Sequence, residues 1–323
     1  MAASKDPTIV MGQGPFDMKY FLSGALAGGI CCSITHGGLV PVDVVKTKIQ
    51  LNPEVYNKGF IGGFNQVIEK EGMNGLLTGL GPTAQGYFIQ GWFKFGGVEF
   101  FKTNITRSVG EQKAWDNRQS IYLVSAAMAE FIADIFLCPY EACRIRLVSD
   151  PAYADSMVGC ATKMMAEQGF MGAFYSGFVP ILCKQIPYTM TKFAVQGRAA
   201  EGIYASLGAS PDAPPAIGNL GVSLASGVVA GVAAAIISHP ADTLLSKINK
   251  KGAGGEGGMF TRMGRIVAET GVVTLCTQGL GARCVMIGTL TAGQFGIFDI
   301  IMGMTGRTFS CTPEASTNLQ TLR

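Results

Sequence analysis

Three times along the 323-residue chain an apolar stretch ends in a proline, followed two residues later by an acid: PVDVVKTK from Pro41, PYEACRIR from Pro139 and PADTLLSK from Pro240. The starts are 98 and 101 residues apart. In two copies a base follows the acid by three residues, as Lys46 and Arg144; in the third that position is Leu245. After each copy comes a polar amphipathic segment and then a glycine-led turn, in EGMNGLLTG, QGFMGAFYSG and TGVVTLCTQG. One match would mean little, but three at near-constant spacing define a repeating unit: long helix, short surface helix, second long helix.

The preceding stretches are long enough to cross a hydrocarbon core of about 30 Å as helices. Tyr20–Val42, Ile121–Tyr140 and Ile217–Ala241 read as spans, and Gly81–Phe101, Val179–Ala200 and Gly281–Met302 as weaker ones between them. Composition agrees, with 48% hydrophobic residues, only 15% charged and 44 glycines. A soluble domain carries about a quarter charged residues. The net charge of +3 and the absence of basic runs give no nucleic-acid surface, and nine scattered cysteines form no CxxC pair. No nucleophile–base pair, Walker loop or metal cluster points to an enzyme. The N-terminus lacks both the apolar core of a secretory signal and the arginine-rich character of a cleavable transit peptide, so any address is expected to be internal.

The expected fold is all-α: six tilted transmembrane helices in three tandem repeats with short amphipathic helices at one end. The segmentation is an N-terminal tail over 1–15, repeats over 16–110, 111–212 and 213–306, and a C-terminal tail over 307–323. Proline breaks the helical ladder and is expected to kink each odd-numbered helix. Gly24-x-x-x-Gly28 and Gly227-x-x-x-Gly231 supply the small residues that close helix packing needs.

The repeated Pro-x-acid-x-x-base element resembles the signature of the mitochondrial carrier family, over roughly Phe16 to Gly306. Within that family, GWFKFGGVEFFK, AEFIADIFLCPYEA, KQIPYTMTKFA, SHPAD and GARCVMIGTLTAGQF resemble the phosphate-carrying branch. The resemblance implies six helices around a central cavity, no enzymatic activity, the mitochondrial inner membrane as location, and inorganic phosphate moved into the matrix with a proton (or against hydroxide) by alternating access. It also implies no cofactor, although cardiolipin is expected as a structural lipid. The adenine-nucleotide branch's RRRMMM is absent.

The resemblance implies a matrix gate in which the acid of one repeat meets the base of the next: Asp43 with Arg144, and Asp242 with Lys46. Leu245 then leaves Glu141 without its base, unless Lys247 or Lys250 reaches it. An unpaired carboxylate in a partly desolvated cavity is a candidate proton carrier. Seven residues before the three acids stand His36, Asp134 and Ala235; eleven before stand Cys32, Glu130 and Gly231. These spacings share a helical face with the acid. His36, Glu130, Asp134 and Glu141 are therefore the expected proton-coupling groups, and the resemblance implicates His36, Glu130 and Glu141 in the same role. His239 is assigned only packing.

The family's contact positions fall on Gln85, Gly86 and Tyr87, on Lys184 and Gln185, and on Met286 and Ile287. Lys184 is the expected phosphate ligand, assisted by Gln185, with Arg283 as a second anion ligand and Gln90, Lys94 and Lys192 forming an entry funnel.

The cytoplasmic gate is depleted. Repeat one keeps Glu99 and Lys102, repeat two has Gln196, Gly197 and Ala200, and repeat three keeps Asp299. A weak gate there favours the state open to the intermembrane space. These losses, with Thr78, Ser176 and Gln278 where the family has bases near its lipid contacts, leave an alternative: a transport-inactive carrier fold kept as a structural subunit of a respiratory or ATP-synthesising assembly. On this reading a Glu141 clasped by lysine or arginine, or a cavity plugged by packed side chains, ends the transport account and puts the scaffold in its place.

Overall fold

In a computed structural model, which describes residues 17–51, 54–209, 216–248, 259–277 and 280–305, nearly all of the described residues are helical. Both tails, most of the GASPDAPP loop expected on the cytoplasmic side, Lys250 and Gln278 lie outside the described residues, as do the side chains of Leu245 and Lys247.

Repeat one comprises α1 (Met18–Gly38), α2 (Val40–Leu51), α3 (Gly59–Glu71), a 3-10 turn (Met73–Leu77) and α4 (Leu80–Val109). A short helix α5 (Glu111–Asp116) leads to repeat two: α6 (Arg118–Ser149), α7 (Met157–Tyr175) and α8 (Phe178–Ser206). Repeat three comprises α9 (Gly218–Ile248), α10 (Met259–Thr270), α11 (Val272–Thr277) and α12 (Leu280–Met304). The long helices pack in a ring, α1 on α4, α4 on α6, α6 on α8, α8 on α9, α9 on α12, with α12 returning to α1.

The helices α6, α9 and α12 are each long and apolar enough to cross a membrane, and α1 with α2 makes a fourth, bent span. The other two rods, α4 and α8, have the length but carry Gln90, Lys94, Lys184 and Lys192, which lowers their mean apolarity. Apolar side chains such as Leu26, Ile34, Val124, Met128, Val228 and Ile237 stand exposed on the outside of the ring, where only lipid would suit them.

The prolines do not act alike. Around Pro41 the helix breaks at Leu39 and bends by 54°, whereas Pro139 and Pro240 lie inside continuous helices. The difference is local: Gly37 and Gly38 precede the first proline, and glycine adds its own cost to a ladder that proline has already weakened.

Close packing follows the small residues. A Cβ on Gly28 would lie 2.5 Å from the Gly91 carbonyl oxygen, so α1 and α4 touch backbone to backbone. Gly231 meets the Ile287 carbonyl of α12 in the same way, at 2.7 Å. At the end that the resemblance assigns to the matrix, each short amphipathic helix stops at a glycine of positive φ: Gly72 at 73°, Gly169 at 68° and Gly271 at 79°. A side chain would be strained in that conformation. Gly169 falls within Met157–Tyr175 and divides it into two helices across a kink.

Candidate functional site

The ring's interior is polar in layers. At the matrix end α2, α6 and α9 bring the three signature acids towards one another. Arg144 lies 3.5 Å from Asp43 and 2.7 Å from Glu141, and Lys46 lies 3.8 Å from Asp242. The inter-repeat pairs read from the sequence are thus present, but Glu141 is not solitary. It sits three residues before Arg144 on the same helix, and that spacing stacks the two side chains one above the other. Two further cations come from even-numbered helices, and both go to Asp242 rather than to Glu141, the acid whose base is missing. Lys184 lies 3.0 Å from Asp242, and Arg283 pairs with Asp242 while donating to Ser238 Oγ at 3.1 Å.

Lys184 and Arg283 are therefore parts of the matrix network, not unengaged anion ligands. Both are drawn to Asp242, the acid that faces their helices. The clasp on Glu141 does not imply a scaffold, because it lies within one helix and leaves the deeper donors untouched. Gln185, beside Lys184, is half-buried. Gln85 is exposed, nine residues from Lys94 and so about 180° around α4 from the axial face. It cannot contact a substrate on the axis. His36 lies flat on Tyr87, ring centroids 3.6 Å apart, and among the described residues no hydrogen bond joins it to Glu130, Asp134 or Glu141.

The next layer centres on Glu130, fully buried, whose carboxylate accepts from three donors on two helices. Gln90 Nε2 donates at 2.7 Å, Thr189 Oγ1 at 2.8 Å, and Lys94 Nζ lies at 3.0 Å. One turn along α6, Asp134 is equally buried. Its Oδ1 receives the same Gln90 amide at 3.3 Å, and its Oδ2 has no partner. Lys94 is thus an interior ion-pair partner rather than part of an entry funnel.

Above this layer Lys192 points to the axis, fully buried. Its ammonium donates to Gln294 Oε1 at 2.9 Å and lies 5.1 Å from the ring centroids of both Phe95 and Phe193 and 5.6 Å from that of Phe295. Among the described buried cations only Lys192 has no carboxylate within 4.0 Å. Tyr188 and Thr291 meet beside it, hydroxyl to hydroxyl at 3.3 Å.

The phenylalanines close the cytoplasmic end. Phe95, Phe193, Phe295 and Phe298 are buried against one another, with Phe95 and Phe298 stacked at 4.8 Å. Beyond them Glu99 pairs with Lys102 on its own helix and accepts from the Tyr20 hydroxyl at 2.9 Å, while Lys102 sits 5.1 Å from the Tyr122 ring centroid. Asp299 accepts from Ser223. The cytoplasmic end, expected from its missing charges to close weakly, is shut in this structure by these rings. Aromatic packing holds that end shut where charges are absent.

The sequence reading missed Thr189, Gln294 and the phenylalanine layer. A signal was available: Lys94-Phe95, Lys192-Phe193 and Gln294-Phe295 are spaced by 98 and 102 residues, near the repeat period, so each pair occupies an equivalent place in its repeat.

A polar shaft of ligating side chains, lined by six rods in three repeats and sheathed in apolar surface, defines a membrane carrier rather than an enzyme. The signature of the mitochondrial carrier protein family matches residues 17–109, 117–204 and 218–308, and the chain belongs to that family. It is 49% identical to a mitochondrial substrate carrier family protein N of Dictyostelium discoideum, over 91% of this chain and 98% of the relative. It is 42% identical to a probable mitochondrial phosphate carrier protein of Schizosaccharomyces pombe, over 89% and 92% of the two chains. It is 40% identical to human solute carrier family 25 member 3, over 88% of this chain and 76% of that one.

Proposed function

We propose that the chain carries inorganic phosphate across the mitochondrial inner membrane into the matrix, together with a proton, by alternating access. The relatives named as phosphate carriers supply the substrate. The observation that carries the mechanism is the triple ligation of Glu130. Its carboxylate occupies Lys94, Gln90 and Thr189, the donors that a tetrahedral oxyanion on the axis would need.

Protonating Glu130 weakens its hold on all three, and they turn to phosphate. Losing the proton draws them back and expels the anion. Glu130 and Asp134, both buried, share the single cation Lys94 and the single amide of Gln90. Asp134, with its unpartnered oxygen, extends the same acidic pair. Lys192 supplies the second positive charge of the phosphate seat. The matrix network around Asp242 and the phenylalanine layer are the two gates, and they must open in alternation. Cardiolipin at the matrix-end helices belongs to the same proposal. No observation among the described residues favours the scaffold alternative.

The test is uptake of labelled phosphate into liposomes holding the purified protein, with and without an inward-directed proton gradient. In Glu130→Gln the gradient-driven rate is expected to fall at least about tenfold, while phosphate–phosphate exchange at equal pH persists and loses its pH dependence. A Glu130→Gln protein that still responds fully to the gradient removes Glu130 from the coupling.

A further inference from the structure

Lys94, Lys192 and Gln294 occupy one level of the shaft, at equivalent places in the three repeats, and each is followed by a phenylalanine of the cytoplasmic plug. Two of the three are cations and the third is an amide. Lys94 is held by Glu130. The Lys192 ammonium is held by Gln294, by three plug rings and, at 5.8 Å, by the ring of Tyr188.

The Gln294 amide is fixed in one orientation. Lysine has no acceptor, so the amide oxygen must face Lys192, and the nitrogen then faces Cys32 Sγ at 3.6 Å. Gln294 itself is buried, so its oxygen has no water to turn to.

We propose that Gln294 is a positioning residue that holds Lys192 beneath the aromatic plug until phosphate takes the ammonium away, so that filling the seat and loosening the cytoplasmic gate are one event. A ring face attracts a nearby cation. While Lys192 lies under Phe95, Phe193 and Phe295, each ring gains by staying where it is. A phosphate oxygen carries full negative charge and outcompetes a neutral amide for the same ammonium. As the ammonium swings to the anion, the rings lose that attraction and the packing of α4, α8 and α12 at this level weakens. A neutral amide at the third position is what makes the hold reversible. A carboxylate there would keep Lys192, and an apolar side chain would leave it unheld.

The inference rests on the reading of Lys94 and Lys192 as the phosphate seat, and its test separates the two. Phosphate uptake kinetics are measured for Gln294→Glu, Gln294→Leu and Lys192→Gln in liposomes. Gln294→Glu, which is isosteric, is expected to raise KM at least about tenfold with kcat less affected. Gln294→Leu is expected to lower KM by about threefold or more and to admit a phosphate-independent anion leak, because Lys192 is no longer held and the plug no longer anchored. A merely structural Gln294 would move KM in the same direction in both variants or in neither, and either result overturns the proposal. Should Gln294→Leu fail to fold, an unchanged KM in Gln294→Glu suffices to overturn it. Lys192→Gln with unaltered KM would sink the seat, and this inference with it. A raised KM in Lys192→Gln combined with same-direction changes at Gln294 would sink this inference alone.

Discussion

The two ends of the shaft are closed by different physics. At the matrix end Asp43, Glu141 and Asp242 face Lys46, Arg144, Lys184 and Arg283, and the side chains of Lys46 and Lys184 remain 35% and 39% exposed. The Lys46 and Lys184 pairs are reached by water and ions, and their strength falls as salt rises. At the cytoplasmic end four phenylalanines exclude water, and beyond them Glu99 pairs with Lys102 on its own helix and Asp299 accepts from a hydroxyl. Its closure comes from apolar burial and dispersion, which salt does not screen. A carrier can therefore lose conventional cytoplasmic charges without losing that gate, provided aromatic area replaces them.

The largest expected effect lies in the plug. Phe95→Ala removes the ring that touches Phe193, Phe295 and Phe298, and a buried phenylalanine truncated to alanine costs about 3–5 kcal/mol. Thermal unfolding of the detergent-solubilised protein should show the loss, and impermeant thiol reagents added from the cytoplasmic side should reach Cys32. If neither occurs, the plug is not what closes that end.

A smaller effect is expected at the matrix end. Asp242→Asn leaves Lys46, Lys184 and Arg283 facing one another. The cost should be about 2 kcal/mol, because breaking a buried pair costs more than this but two of these cations are partly solvated. Raising the salt concentration should narrow the gap between Asp242→Asn and the parent protein, and should leave the Phe95→Ala gap unchanged. A salt-independent Asp242→Asn gap would erase the contrast between the ends.

The smallest effect belongs to Lys46→Gln, at about 0.5 kcal/mol, since a half-exposed pair at 3.8 Å contributes little. An effect as large as that of Asp242→Asn would mean that Lys46, not Lys184 and Arg283, holds the acid.

Glu141 shows how the sequence misled and how it could have been read. The expectation of a lone carboxylate came from counting bases only in equivalent positions of other repeats. Arg144, three residues along the same helix, was in plain view, and the i,i+3 relation suffices to bring the two side chains together. Lys184 illustrates a different failure. Nothing local to KQIPYT reveals that Asp242, 58 residues later, will stand 3.0 Å away. Gln85 stands on the face of α4 turned away from Lys94, and a contact position implied by resemblance carries no information about that face.

The chain's sequence alone determined the three repeats, the helical rods, their apolar outer surfaces, the glycines at left-handed turns and the acids gathered at one end. Each of these follows from periodicity, backbone sterics or the cost of unsatisfied groups in lipid, all of which act over a few turns of chain. Tertiary structure decided which cation answers which acid, that Glu130 takes three donors, and that Lys192 rests on an amide and aromatic faces. Those partners arrive from other helices, 36 to 102 residues away in the cases of Lys94 with Glu130 and Lys192 with Gln294. A buried charge takes the best partner within its short reach, and only the closed ring of helices sets what lies within it.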